Sequence, residues 1–236
     1  MRNRKGVIKL NDAYKKLRNP LPQLLGAFSI LFSSLGFVQY FYSLTIERTP
    51  LYLLITSILI IIISIACFFV LFLPQPKNHE DMKKSAFKLM VLDVLALYCI
   101  VIGLYNVYFF LAAENGVDLT IFWIVGIITM FVGLLSFIYG IYLLINTPFW
   151  LKDKKKDEQI FGKAITIIIL FLFSLVVVIQ KIIEYFTIPN INESKFMILG
   201  IGGMMPFVYF VIMMLYIHYT QVLLNYELKD ADELFE

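Results

Sequence analysis

The residues of this sequence that could carry chemistry are few, and they stand inside long runs of apolar residues. Gln180, Lys181 and Glu184 interrupt one such run, and Lys181 and Glu184 are three residues apart, which places them on one face of a helix. Charged groups removed from water are costly unless they are paired. The three residues are therefore either a structural ion pair with a neighbouring amide or a polar site for a substrate or ion, and the sequence leaves both interpretations open.

Two further amides, Gln39 and Asn106, also stand in apolar runs and are followed by aromatic residues. The segments around Gln39, Asn106 and Gln180 resemble one another, as LGFVQYFY, IGLYNVYF and, more weakly, VVIQKII. This similarity predicts three repeated helical hairpins, although apolar helices of like composition also resemble one another by chance. If the repeat is genuine, the three amides form a polar ring, and otherwise each is a hydrogen bond between helices.

No enzyme motif accompanies these residues. The sequence contains no HExxH, no GxSx nucleophile and no Walker A motif, and its two cysteines, Cys67 and Cys99, both lie in apolar runs. Two isolated cysteines form neither a zinc site nor a disulfide framework. We therefore expect no catalysis, no metal and no cofactor, and the chain has no folded basic surface suited to nucleic acid.

The composition explains the setting of these polar residues. Of 236 residues, 60% are apolar and 16% are charged, against about 45–50% and about 25% in soluble domains. Uncharged runs long enough to cross a bilayer recur along the chain, and backbone groups in hydrocarbon must bond within their own helix. We predict an all-α, polytopic bundle with spans at Leu21–Ile46, Leu51–Leu73, Leu89–Ala113, Leu119–Asn146, Ala164–Ile188 and Phe196–Leu224.

Lysine and arginine residues indicate which side of the membrane each connection occupies. Seven lie before the first span, four after the second, five after the fourth and one after the sixth. The other side has only Arg48, Lys181 and Lys195. This distribution predicts a plasma-membrane protein whose amino and carboxyl termini are both cytoplasmic.

Three regions follow from this topology: a basic leader over residues 1–20, the six-helix domain over 21–224 and an acidic tail over 225–236. The tail is expected to be solvated. In the leader, apolar residues recur at steps of three, four and three, so it forms either an amphipathic helix in the headgroup layer or a disordered topology signal. Those residues are Val7, Leu10, Tyr14 and Leu17.

Small residues indicate where the helices approach closely, because they let backbones come together. Two helices carry them at alternating steps of three and four, a 3.5-residue period that predicts left-handed crossings in a tight bundle. Helix four has Gly126, Thr129, Gly133, Ser136 and Gly140, and helix one has Gly26, Ser29, Ser33 and Gly36.

Asp93 and Pro206 depart most from an ideal transmembrane helix. Asp93 lies about 7 Å along helix three from Lys88, so we expect its carboxylate to reach interfacial water in a structural role. Pro206 follows Gly200, Gly202 and Gly203 at the start of helix six. That sequence is either a hinge or a close helix contact with a tolerated proline.

Two resemblances extend over the chain. A basic leader followed by six spans resembles the membrane subunit of an ABC-type exporter, but residues 78–84 make a poor coupling helix and residues 189–195 are too short for a re-entrant pair. The chain, rich in Lys, Ile and Phe and with short loops, also resembles small polytopic proteins of type VII secretion and toxin-immunity loci in Gram-positive bacteria. Neither resemblance assigns a role to any residue.

Taken with the absent enzyme motifs, the second resemblance implies a bacterial membrane protein that acts by binding. Its expected partners are the lipid bilayer and either another membrane protein or a membrane-active toxin, and a homo-oligomer is left open. The alternative is a permease, or a permease subunit, that uses Gln180, Lys181 and Glu184 with the amides near the outer side.

Overall fold

Helices make up all the regular secondary structure in the part of the chain that the computed structural model describes, which is residues 14–18, 20–76, 79–145, 172, 175–191 and 194–232. A five-residue helical segment spans residues 14–18. Six longer helices follow: α1 (Leu21–Phe37), α2 (Leu51–Phe69), α3 (His79–Glu114), α4 (Thr120–Ile145), α5 (described over residues 175–187) and α6 (Phe196–Asp232).

Five helical stretches within the described residues are long and apolar enough to cross a membrane: Tyr14–Phe41, Leu51–Phe72, Glu80–Glu114, Thr120–Tyr139 and Phe196–Val222. The prediction of an all-α, multi-pass membrane protein is therefore confirmed. The first part of the fifth predicted span, Ala164–Ile188, lies outside the described residues, which there comprise residue 172 and the residues from 175 onward, so its full length stays a prediction.

The predicted end of the first helix, at Ile46, is wrong. The α-helix ends at Phe37 and continues as a 3₁₀ turn over Val38–Phe41. Beyond it the Gln39 carbonyl accepts hydrogen bonds from the N–H groups of Tyr42 and Leu44, at 3.1 and 3.3 Å. The absence of charged residues up to Ile46 indicated apolar surroundings, in which we expected a helix. An ordered connection can also supply the hydrogen bonds that its backbone groups need, so the helix does not have to continue to Ile46.

Two other helices extend past the apolar runs from which they were predicted. α3 begins at His79 rather than Leu89, with Glu80 and Asp81 in its first turn. Glu80 forms an ion pair with Lys84 at 2.7 Å, one turn later. α6 ends at Asp232 rather than Leu224. Helical backbone continues into the charged segments because acidic residues near a helix start and paired charges four residues apart favour it.

The connection between α3 and α4 is short and closed by local bonds. Gly116 has a φ of 72°, a conformation that favours glycine. The N–H of Val117 reaches back to the Ala112 carbonyl at 2.9 Å. Asp118 Oδ1 accepts hydrogen bonds from the Thr120 hydroxyl at 2.6 Å and from the Thr120 N–H at 2.9 Å. These two bonds hold the pKa of Asp118 below its usual value.

The chain divides into two compact units. The first comprises Met1–Phe110 and Val211–Glu236, and the second comprises Leu111–Phe210. The division falls inside α3 and inside α6, and α6 runs without interruption through Pro206. The proline is therefore tolerated inside a continuous helix.

In the first unit, the small-residue face of α1 is buried against α2 and α3. A Cβ on Gly26 would lie 2.9 Å from the Cys67 Cβ, and one on Gly103 would lie 3.0 Å from the Ser33 backbone nitrogen. The Ser29 hydroxyl lies 2.8 Å from the Ala96 carbonyl oxygen of α3. Ser33 and Gly36 are also buried on this face. Backbones approach this closely only where side chains are small.

The second unit contains a similar contact on α4. A Cβ on Gly133 would lie 2.5 Å from both the Tyr209 hydroxyl and a Val177 methyl group, so α4 meets α5 and α6 there. The Phe137 and Tyr209 rings pack at 4.7 Å. Gly126 is buried, whereas Thr129 and Ser136 are half-buried. The surroundings of Gly140 lie outside the described residues.

The helical residues 14–18 pack on the first unit. Lys15 and Lys16 are exposed, whereas Tyr14 and Leu17 are buried. These two side chains belong to an apolar cluster with Val70, Met82, Ala86, Leu89 and Tyr219. The described part of the leader therefore turns its apolar face to protein, while Val7 and Leu10 lie outside the described residues.

The close contact at Gly26 predicts a stability effect. Gly26→Ala should lower the free energy of unfolding in detergent micelles by about 1–3 kcal/mol, because the new methyl group overlaps atoms that cannot swing away. Gly200→Ala in α6 is the matched control, since no atom lies within 4 Å of its added Cβ. Equal unfolding midpoints for the two variants would contradict the packing described here.

Candidate functional site

Asp93 is the most completely enclosed carboxylate of the first unit. It lies on α3 with no exposed surface, and the Tyr219 hydroxyl of α6 donates a hydrogen bond to its Oδ2 at 2.8 Å. Its Oδ1 finds no donor among the described residues. The expectation that Asp93 reaches interfacial water is wrong, because α6 covers the side chain and supplies a tyrosine in place of water.

A buried carboxyl group with one unpartnered oxygen has two chemical options. It can be protonated, or it can accept a hydrogen bond from a further donor such as water, because leaving the oxygen bare costs free energy. The Tyr219 bond supports either state, since a hydroxyl donates to a carboxylate and to a carboxyl carbonyl alike. The pair can therefore hold a proton, and it also joins α3 to α6.

Gln180, Lys181 and Glu184 form the buried polar group of the second unit. Lys181 Nζ donates to Glu184 Oε2 at 2.8 Å, and Gln180 Nε2 donates to the same oxygen at 2.9 Å. Lys181 is fully buried and Glu184 nearly so. Gln180 Oε1 has no donor among the described residues. The structure thus brings all three predicted residues together on α5.

The close approach of α6 explains why Lys181 is enclosed. A Cβ on Gly202 would lie 3.0 Å from the Lys181 Cβ, so α6 comes against the first carbon of the lysine side chain. The ion pair then forms within one helix, at the three-residue spacing that the sequence showed. Pairing inside the second unit lowers the cost of burying both charges.

Asn106 makes its contact within the first unit. Its Nδ2 donates to the Thr56 hydroxyl of α2 at 3.0 Å, and that hydroxyl lies 2.8 Å from the Tyr52 carbonyl oxygen one turn earlier. Gln39 lies half-buried in the 3₁₀ turn after α1. Because Gln39 and Asn106 belong to the first unit and Gln180 to the second, the polar ring and the threefold hairpin repeat stay predictions.

The chain matches one family of proteins over most of its length. The family model is described as Domain of unknown function (DUF5079), and it matches residues 11–231. The chain belongs to the DUF5079 family. No curated protein and no solved structure matches it. The description of the DUF5079 family assigns no activity, so the function of this DUF5079 protein is inferred from its own residues.

Sequence reasoning missed two partners in this DUF5079 protein, Tyr219 and Thr56. A tyrosine near the end of a membrane helix is typical of an interfacial anchor, and a threonine commonly bonds to its own backbone. The sequence therefore offers no indication that Tyr219 and Thr56 are hydrogen-bond partners, because the residues they bond to are 126 and 50 positions away.

The described residues contain no group of three or more His, Cys, Asp or Glu side chains that could hold a metal ion. Cys67 and Cys99 are both buried and free. The buried polar groups described above are the Asp93–Tyr219 pair and the cluster of Gln180, Lys181 and Glu184.

The Asp93–Tyr219 bond predicts an energetic coupling. Tyr219→Phe should lower the free energy of unfolding by about 1–3 kcal/mol, because it leaves the buried carboxyl group without its donor. The loss should be much smaller in an Asp93→Leu background, where no carboxyl group needs a donor. Unfolding in micelles measures both.

Tyr216→Phe is the control for this cycle, since it removes a hydroxyl from the same helix one turn away. Equal losses for Tyr219→Phe in the two backgrounds would show that the bond to Asp93 contributes nothing.

Proposed function

We propose that this protein acts without catalysis by binding another membrane component, and that it serves as a toxin-immunity or secretion-accessory protein in a bacterial plasma membrane. The connection between α1 and α2, residues 38–50, is the observation that carries this proposal. It presents large apolar side chains from an ordered backbone. The resemblance to toxin-immunity and secretion-locus proteins supports the biological setting.

Three side chains of this connection are largely exposed. Phe41 is 89% exposed, Tyr42 74% and Ile46 72%. They fall within six residues, next to Glu47 and Arg48. Single exposed apolar residues are ordinary, but large apolar side chains that are exposed close together in the sequence, beside charged residues, are typical of an interaction surface. We call Phe41, Tyr42 and Ile46 the apolar patch.

The backbone beneath this patch is held by hydrogen bonds. The hydroxyls of Tyr40 and Thr49 bond to each other at 2.8 Å, and the Thr49 hydroxyl lies 2.9 Å from the Thr45 carbonyl oxygen. Leu44, which lies between Tyr40 and Thr49 in the sequence, is buried and anchors the segment. A surface already ordered before binding loses less conformational entropy when a partner arrives, so its aromatic residues contribute more net affinity.

The lysine and arginine distribution supports an orientation in which this connection faces outward and both termini are cytoplasmic. A protein with that orientation meets an incoming membrane-active toxin, or the outer part of a secretion complex, through residues 38–50. The competing role for Phe41 and Tyr42 is to anchor the helix end in the lipid interface, which aromatic residues commonly do.

Site-specific crosslinking tests this proposal. A photoreactive phenylalanine analogue at Phe41 should give a discrete protein adduct in native membranes, because that position lies on the proposed contact surface. The same analogue at Ile124, an exposed residue of α4, is the control and should give lipid adducts. Immunoblotting of the tagged chain separates the two kinds of product.

A growth assay tests the same proposal in cells. Deletion of the gene should raise sensitivity to the toxins secreted by sibling cells, and the wild type and Ile124→Ala should restore protection while Phe41→Ser combined with Ile46→Ser should not. Purification of the chain alone from its native membrane, together with unchanged toxin sensitivity on deletion, would refute the proposal.

A second function, solute permeation, is favoured by one observation: the fully buried Lys181 is paired with Glu184, which also accepts a hydrogen bond from Gln180. Intramembrane ionisable groups often mark ion or substrate paths. As a permease or exporter subunit, the chain would use this cluster as its polar site. The stability and the solute flux of variants in this cluster separate a structural ion pair from a permease site.

A structural ion pair predicts that removing one partner is worse than removing both. Lys181→Met should lower the free energy of unfolding by about 3–5 kcal/mol, because it removes the cation paired with a buried carboxylate, and Lys181→Met with Glu184→Met should recover most of that loss. A permease instead predicts that Glu184→Gln and Gln180→Leu abolish solute flux into proteoliposomes while expression stays normal. Normal flux in both variants would exclude the permease.

A further inference from the structure

A cavity of about 270 Å³ opens in the first unit, at the junction of the end of α2 with the first part of α3. Its walls come from three parts of the chain, which are the helical residues 14–18, the turn after α2 and α3 itself. The residues that matter for its chemistry are Tyr14, Val70, Leu73, Ser85, Lys88 and Leu92.

The residues that line this cavity are of two kinds, apolar and polar. Val70, Leu73 and Leu92 are aliphatic, whereas Ser85 offers a hydroxyl and Lys88 a positive charge. Lys88 is exposed, and it is the last basic residue of α3 before an apolar run that contains only Asp93 as a charge. The cavity therefore lies where the charged part of the helix meets the part predicted to enter hydrocarbon.

A second cation is fixed beside the cavity. Arg18 donates from Nη1 to the Leu73 carbonyl at 3.0 Å, and its guanidinium carbon lies 5.5 Å from the centre of the Tyr14 ring. Both Leu73 and Tyr14 line the cavity. The buried Nε of Arg18 finds no acceptor in the part of the chain that the structure describes. Arg18 is thus an anchored guanidinium next to two of the residues that line the cavity.

We propose that this cavity binds an anionic glycerophospholipid of the leaflet on the lysine-rich side. The phosphodiester would be held by Lys88 and Arg18, and the upper part of an acyl chain would lie against Val70, Leu73 and Leu92. Guanidinium and ammonium groups form charge-assisted bonds to phosphate, and basic pockets between membrane helices are suited to lipid headgroups. The inference is independent of the function proposed above.

The amphiphilic lining favours a lipid over a soluble phosphate compound. A soluble phosphate would use the cations but would leave the aliphatic wall facing water, which is unfavourable in proportion to the apolar area exposed. A zwitterionic lipid would cover the wall but would bring its own cation toward Lys88. An anionic phospholipid suits both the aliphatic and the basic residues of the cavity.

Binding at this position would also act on the leader. Tyr14 and Arg18 belong to the helical residues 14–18, and Leu73 follows α2, so a bound lipid would contact the leader and the core helices together. A ligand that binds only the folded form raises stability in proportion to the logarithm of its concentration above its dissociation constant. The proposal therefore predicts a lipid-dependent unfolding temperature.

The experiment uses the full chain in an uncharged detergent, with phosphatidylglycerol or phosphatidylcholine of identical acyl chains added to the micelles. Thermal unfolding and native mass spectrometry report stabilisation and lipid retention. Phosphatidylglycerol should raise the unfolding temperature and remain bound, whereas phosphatidylcholine should do neither. Free glycerol 3-phosphate at the same concentration should have no effect.

Charge-neutralising variants locate the effect. Lys88→Gln and Arg18→Gln should each weaken phosphatidylglycerol binding about fivefold, since one basic residue near a membrane surface contributes about 1 kcal/mol. Lys84→Gln and Lys16→Gln remove the same charge from exposed positions on the same helical segments and are the matched controls. Ser85→Phe keeps every charge but fills the cavity, and it should also abolish retention.

Three outcomes would overturn the proposal. Equal binding of phosphatidylcholine would show a non-selective apolar surface, and equal loss in all four lysine and arginine variants would show a diffuse electrostatic effect. Stabilisation by glycerol 3-phosphate as strong as that by phosphatidylglycerol would assign the cavity to a soluble phosphate compound. Unfolding of each variant without lipid confirms that the comparison is between folded proteins.

Discussion

Inside hydrocarbon a polar group has no water to bond with, so each one must find its partner within the protein. The described helices meet this constraint mainly through small contacts between neighbouring backbones and side chains. Ser29 lies within bonding distance of carbonyl oxygens of its own helix and of α3, at 2.8 Å each. Asn106 reaches Thr56 of α2, and Asp93 reaches Tyr219 of α6. The same constraint explains why glycine and serine occur at the contact faces: they let the partner approach closely enough to bond.

The two acidic residues that are buried in the described part of the chain, Glu184 and Asp93, satisfy this constraint in different ways. Glu184 is neutralised within its own helix by Lys181 and accepts a second bond from Gln180, so its Oε2 is the acceptor for both donors. Among the residues whose placement is described, Asp93 has one donor, the neutral hydroxyl of Tyr219 in a distant part of the chain. The first arrangement is fixed by local spacing, while the second exists only when α3 and α6 are in place. This contrast separates a locally encoded ion pair from a tertiary link between helices.

The two connections that flank α2 carry different chemistry. At the α1–α2 connection, hydroxyl groups hold a turn from which aromatic and aliphatic side chains project. At the α2–α3 junction, the helical residues 14–18 pack over an apolar cluster and leave a cavity edged by Lys88. The first connection exposes apolar side chains, whereas the second, together with the first part of α3, combines apolar residues with a basic one.

The amino-acid sequence by itself determined that the chain is helical and multi-pass, because long uncharged runs admit no other backbone arrangement in hydrocarbon. It also located the pairing of Lys181 with Glu184, since a three-residue spacing is a local property of a helix. The helix ends were predicted less accurately, because charged residues indicate where the chain leaves the membrane and not where a helix ends. α1 ends before the predicted boundary, whereas α3 and α6 extend beyond theirs. Only the tertiary structure decided that Asp93 meets Tyr219 and that Tyr14 and Leu17 face protein, because those contacts join residues far apart in the sequence whose meeting depends on how whole helices pack.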